Sequence, residues 1–465
     1  MLRLQKFPAD TDLEPLVRLF SAIASSGETE AFDPGTRRPE IMDAWLAGWQ
    51  AVQSSLAGVI EELLKGSDEK SIIDFSIYRA ALFPVIAFLL QNPNPVLKDE
   101  EEKPKKHPIS GEPEYTRSDP FTEAINSVRG RAFQTLVMFA YREGQSFPKK
   151  AKVKLSPEVR SCYEKLLAAE KTQAIMVMFG HYLSFFYFYD RDWARGLIPS
   201  IFPAAVEKKG LFLAAWEGYL SRPLYKEILE DIVDIYLRVI NLDPADYTPR
   251  RYHTPLDSGL ASHAALAFMH FENFGYDSAL FKAFWAKDNV ERHKEFVSFI
   301  GRHAISREKP AEWIRQNKVD LERMKSFWDW ALQNVTSPDV LSEFGFWMKN
   351  TGTLLDSHWL AEHIRKTLEK TGGNIHWELG MMESLPELAK VSPQDSLQIL
   401  RLYLTGPAGP NDRRRAWLYV DDKLIGIFKI LYENPSTKTE TEGLINELLP
   451  RGSGQFWRLK EVLES

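Results

Sequence analysis

DPFTEAINSVRGRAFQTLVMFAY, residues Asp119–Tyr141, is written as a helix from its first letters. Asp119 can accept from the first unpaired amides, and Pro120 sits where a helix has no use for an N–H. Phe121, Ile125, Val128, Ala132, Leu136 and Phe139 then recur at helical spacing and make one apolar face. The pattern predicts one helix through the whole stretch. A glycine inside a helix costs about 1 kcal/mol against alanine, so Gly130 marks a close approach of something else. Ala124, Ser127 and Gly130 form a small-residue strip that would admit a neighbouring helix. Asn126 and Arg129, adjacent on the same surface, are expected to bond chain ends or loops nearby. Asn126, Arg129 and Gly130 are therefore read as a structural keystone and not as an active site.

The same grammar runs along the chain. Ser156-Pro157, Ser337-Pro338 and Ser392-Pro393 repeat the small-cap-then-proline start. Ile314, Leu321, Met324, Trp328, Ala331, Leu332 and Val335 make another stripe, and Leu444, Ile445, Leu448 and Leu449 a third. No series of alternating β-branched runs and no Asn-Gly or Asp-Gly hairpin turn between such runs is present. The expected fold is all-α: an irregular α-solenoid of helical hairpins, HEAT- or TPR-like, with a non-repetitive helical bundle as the alternative. No strict period and no TPR consensus is found. Pro-rich, charged residues 92–118 are expected to be a loop between an N-terminal helical segment (1–91) and central helical repeats (119–242). Asp243–Asp257 is a second long connection before C-terminal repeats over 258–465, and Thr405–Asp412 a third.

With 465 residues, 44% of them hydrophobic and 26% charged, the chain has the composition of an ordinary globular protein. A net charge of −6 gives no general attraction to nucleic acid or anionic membranes. A single cysteine, Cys162, rules out a disulfide within the chain and cysteine-based zinc sites, and predicts a reducing, cytoplasmic setting. MLRLQKFPADTD lacks the apolar core of a signal peptide. The most apolar run, Ala174–Tyr189, is shorter than a membrane span needs and is read as one centrally buried helix.

A search for chemistry returns little. No P-loop, G-x-G-x-x-G, G-x-S-x-G or HExxH pattern occurs. His358 and His363 stand five apart, out of register for a helical zinc motif. His263 and His270, with His253 nearby, share a helix face but sit among packed alanines. Asp190 and Asp192 suit helix capping by Asp192 better than paired acid–base work. Cys162 has no evident base partner. No catalytic residue, cofactor or metal site is expected. Lys149 and Lys150, with Lys152 and Lys154, and Arg413, Arg414 and Arg415 are basic clusters that could meet phosphate or an acidic protein surface.

Several phrases occur together: INSVRGRAF at Ile125–Phe133, DWARGLIPSIF at Asp192–Phe202, AAWEGYL at Ala214–Leu220, EFGFWM at Glu343–Met348, then TGG at Thr371–Gly373 and INELLPRGSGQFWRLKEVL at Ile445–Leu463. In that order they resemble the C-terminal helical-repeat region of large bacterial antiphage defence proteins. Those proteins join such a region to a STAND-type NTPase or a SIR2-like effector. The resemblance implies a sensor that grips a phage protein. No Walker, nuclease or SIR2-like motif is found here, so the resemblance carries over no catalytic residue.

The expected function is that of a non-catalytic protein-recognition scaffold, the sensor part of a defence system, with a phage protein or separate effector as partner. Arg413, Arg414, Arg415, Lys149 and Lys150 are the candidate partner-binding residues. The alternatives are an enzyme whose site is assembled from scattered helical residues (His263 with His270, or Asp190 with Asp192) and a nucleic-acid-binding solenoid using the basic clusters.

Overall fold

The structure, a computed structural model, describes residues 12–25, 39–65, 73–96, 105–106, 113–114, 119–145, 154–242, 256–306, 308–348, 354–406, 422–450 and 455–464. Among the described residues there are 23 α-helices, and the only strands are a two-residue antiparallel bridge between Lys105–Lys106 and Pro113–Glu114. The fold is all-α. None of these helices is long and apolar enough to cross a membrane. The chain divides into two compact units, Met1–Ile235 with Asp243–Pro255, and Tyr236–Leu242 with Leu256–Ser465.

Local chemistry starts the helices where the sequence marks them. Pro120, Pro157, Pro338 and Pro393 each open a helix. Of the four residues before them only Asp119 closes a side-chain cap bond, its Oδ1 accepting the Thr122 amide at 2.9 Å. Asp190, and not Asp192, caps the helix Arg191–Ile201 by accepting the Trp193 amide at 3.2 Å.

In the first unit the Asp119–Tyr141 stretch is two helices. Pro120–Asn126 stops at Ser127, whose backbone is extended (φ −91°, ψ 158°), and Val128–Gln145 begins afresh. Ser127 serves the corner in both directions. Its hydroxyl donates to the Ala124 carbonyl at 2.8 Å and accepts from the Gly130 amide at 3.1 Å. Asn94 caps the new helix from outside, its Oδ1 accepting from the Val128 amide at 3.0 Å and its carbonyl from the Arg129 amide at 3.1 Å. The chain folds back so tightly that a Cβ on Gly130 would lie 2.0 Å from the Ala124 carbonyl oxygen. Val128–Gln145 packs against Pro39–Lys65 and Phe75–Leu89.

The apolar run Ala174–Tyr189 is likewise split, into Gln173–His181 and Leu183–Tyr189, at the non-helical Tyr182 (φ −97°, ψ 12°). Gln173–His181 is buried nearly throughout and crosses Lys209–Leu220. Glycines face backbone at that crossing: a Cβ on Gly180 would meet the Ala215 carbonyl at 1.8 Å, and one on Gly218 the Val177 carbonyl at 2.0 Å. Beside it lies an aromatic core. Phe133 meets Phe179 at 5.0 Å and Tyr163 at 5.1 Å between ring centres, Tyr163 meets Phe186 at 4.9 Å, and Phe186 meets Trp193 at 5.6 Å.

In the second unit alternate helices stack. Ser357–Thr371 packs on Pro393–Thr405, which packs on Lys438–Leu448; Glu378–Val391 packs on Asp422–Glu433, which packs on Gln455–Glu464. These helices therefore form two rows. Upstream, Leu256–His270 packs on Val290–Ile300. Arg292 is 1% exposed, pairs with Asp257 and donates to the Ile240 carbonyl at 2.8 Å. The stripe from Ile314 to Val335 falls on two helices, Pro310–Gln316 and Leu321–Asn334, separated by the left-handed Lys318 (φ 52°). Phe268, Phe281, Phe296, Phe327, Trp328 and Phe344 fill the core beneath.

Candidate functional site

The glycine-locked crossing in the first unit also positions a cavity there. From Gln173–His181 the chain runs into Leu183–Tyr189; from Lys209–Leu220 it runs through Arg222 and Tyr225 into the helix Lys226–Ile240. Residues from both exits, with Tyr141, wall a groove of about 470 Å³. Phe185, Phe188, Tyr189 and Tyr225 give it an aromatic lining, with Arg191, Arg222 and Glu227 as its charged residues. Phe188 is 79% exposed, Tyr225 48% and Tyr141 47%, a concentration of large apolar side chains that folding alone does not ask to leave outside.

Polar groups set the groove's shape. Asp231 accepts from Arg191 Nη2 at 3.1 Å, Arg195 Nε at 3.3 Å and the Tyr187 hydroxyl at 3.2 Å. Burial first, and then the Asp231 charge, push the Tyr187 hydroxyl well above its usual range. Burial also raises the Tyr189 hydroxyl to about 12, with Tyr141 adding to it. Both phenols thus stay protonated at neutral pH, as donors and not as bases. His181 bonds the Ser221 hydroxyl at 2.9 Å, and burial with the nearby Arg222 lowers it to about 4. The histidine beside the groove is therefore neutral at pH 7. The arrangement offers apolar surface, guanidinium groups and phenol donors, and where Ser221 meets His181 the serine donates its proton to the Gly218 carbonyl at 2.6 Å, away from the imidazole.

No protein-family model, no curated protein and no solved structure matches this chain.

The residues singled out in the sequence lie elsewhere. Arg129 donates through Nη2 to the Pro95 carbonyl at 2.9 Å and to Glu170 Oε1 at 3.3 Å. Glu170, its side chain 1% exposed, also accepts the Thr172 amide at 2.7 Å and the Thr172 hydroxyl at 2.6 Å. Asn126 only bonds its own helix, donating to the Thr122 carbonyl at 2.8 Å. Since Ser127 breaks the helix, Asn126 and Arg129 are not neighbours on one surface. In the strip of Ala124, Ser127 and Gly130, Gly130 faces the Ala124 carbonyl across a corner, and the helix Pro120–Asn126 packs against Gln173–His181. Lys149, Lys150, Lys152, Arg413, Arg414 and Arg415, and His253 as well, lie outside the described residues.

The described histidines singled out in the sequence, and Asp190, each have partners. His263 is buried with its Nδ1 2.7 Å from the Tyr236 hydroxyl, and His270 Nδ1 donates to the Asn317 carbonyl at 3.1 Å. Asp190 pairs with Arg160 at 2.5 Å. His358 meets the Ser392 hydroxyl at 2.6 Å; His363, buried, lies 2.8 Å from Asp329 and 2.7 Å from the Trp359 carbonyl. Cys162 is half-buried, and burial raises its thiol. No group of three or more potential metal ligands occurs among the described residues. The sequence does carry one pointer to the groove: Gly180 and Gly218 each interrupt an otherwise apolar helix, as a close helix crossing requires.

Proposed function

We propose that this protein is a non-catalytic recognition scaffold that grips a segment of another protein in the aromatic groove of its first unit. The observation that carries this reading is the groove's composition. Exposed phenylalanine and tyrosine beside arginine is the mixture enriched at the energetic centres of protein interfaces. The fitting segment presents an apolar side chain for the Phe188–Tyr225 walls and a carboxylate for Arg222. The two-row stacking of helices in the second unit supports an irregular α-solenoid, a fold whose long surfaces serve binding. The resemblance to sensor regions of bacterial antiphage defence proteins suggests a phage protein as the partner and the cytoplasm as the place.

The test is a pull-down with the tagged chain from phage-infected cells, run in parallel with Phe188→Ala and Tyr225→Ala. Both side chains are exposed, so both variants should fold with an unchanged melting temperature. A phage protein retained by the parent and lost by both variants is the expected result. Retention by both variants, or no phage protein at all, overturns the reading.

A further inference from the structure

The second unit has a cavity of its own, about 590 Å³, that the proposed function does not use. Its walls include Tyr276, Phe281, Trp285 and Trp330. Several of the rings meet steeply: Phe281 and Trp330 stand at 70° with centres 5.0 Å apart, Trp285 and Trp330 at 67° and 5.1 Å, Tyr276 and Phe281 at 78° and 5.2 Å, while Phe281 and Trp285 are tilted at 43° and Tyr276 and Trp330 at 37°. Rings set at such different angles around one volume make an aromatic corner. A ring face carries the negative end of the quadrupole and attracts a cation.

The charged groups around this corner have the matching sign. Asp277 and Asp288 both border it, against one lysine, Lys282. Lys282 Nζ pairs with Asp277 at 3.2 Å, and Asp288 forms no ion pair among the described residues. The pocket is thus left with one uncompensated carboxylate. Of the other ionisable walls, Tyr276 is a phenol that burial raises above its usual range, and His293 adds no positive charge. It lies flat on Trp285 (4.3 Å between centres, 22°), it donates Nε2–H to the Phe284 carbonyl at 3.0 Å, and burial lowers its pKa. No lysine or arginine among the described residues lies over Trp285 or Trp330, so their outer faces are not already taken by a cation of the chain.

We propose that this pocket binds an alkylated ammonium group, held by the Trp285–Trp330–Phe281 corner and neutralised by Asp288. Alkylation matters because a bare ammonium keeps its hydration shell, whereas methyl groups pack on the rings while the charge persists. The same chemistry is found on choline-like solutes and on methylated lysine side chains.

A ligand-observed NMR titration of the full chain separates these cases. Three probes are used: choline, its uncharged carbon isostere neohexyl alcohol, and a short peptide carrying trimethyllysine. Saturable binding of choline or the peptide, roughly fivefold or more tighter than the isostere, supports the proposal, and the tighter of the two names the source. Asp288→Asn, an exposed change that leaves folding intact, should weaken that binding severalfold at an unchanged melting temperature. Equal binding of the isostere, no saturable binding of either ammonium at millimolar concentration, or an Asp288→Asn variant with unaltered affinity overturns it.

Discussion

The Tyr163 hydroxyl lies in the aromatic core of the first unit, fully buried, with no hydrogen-bond partner among the described residues. Burial raises its pKa well above the usual phenol range, so it remains a neutral, unsatisfied dipole. Tyr163→Phe removes that dipole and keeps the ring contacts with Phe133 and Phe186. A gain of about 1 kcal/mol is expected, read as a higher urea midpoint at unchanged slope. Arg129 has the opposite character. Its replacement by alanine strands the Glu170 carboxylate without its counter-charge in a site that is nearly closed to water. A loss of about 3 kcal/mol is expected in the same assay. Arg292→Ala in the second unit should cost a similar amount, about 3–5 kcal/mol, since it unpairs Asp257 and frees the Ile240 carbonyl.

At the scale of the element, the legible features are those decided within a few residues. Proline at the first helical position selects a helix start by chemistry that needs no tertiary partner, and Pro120, Pro157, Pro338 and Pro393 all open helices. The break at Ser127 is different. Its apolar face runs on in perfect helical phase, and the interruption is made by Asn94, far upstream, whose side chain and carbonyl take the amides of Val128 and Arg129. Gly130 announces a close approach, but what approaches is the carbonyl of its own preceding helix. The groove was illegible for the same reason: residues 184–191 and 222–228 are brought together by a helix crossing and not by sequence spacing. Gly130→Ala should therefore be far costlier than a surface helix glycine, for which alanine is stabilising by about 1 kcal/mol. Here the Cβ has no room against backbone, and a melting temperature equal to or above the parent's would contradict this account of the corner.

For the whole molecule, the histidines set how stability follows pH. Burial holds the folded-state pKa of His181 down at about 4 and lowers those of His270 and His293. Such groups favour the fold fully above their unfolded value of 6.5, and the benefit is lost as pH falls through that value towards the folded one. His376 acts in reverse: Glu343, 2.7 Å from its Nδ1, raises it, so its contribution is complete below 6.5 and fades as pH rises through the raised value. His181 carries the largest of these shifts, so the urea midpoint should drop between pH 7 and about 4.5, and His181→Gln should flatten the drop. The Gly180–Gly218 crossing has a consequence of another kind. With main chain pressed on main chain there is no rotamer between the two helices to flip and no side chain to yield. Both walls of the aromatic groove depart directly from that junction, so their separation is a fixed gauge. A partner must match it as it stands, and recognition proceeds by selection of fit, with little reorganisation of the host and little ordering entropy lost on capture.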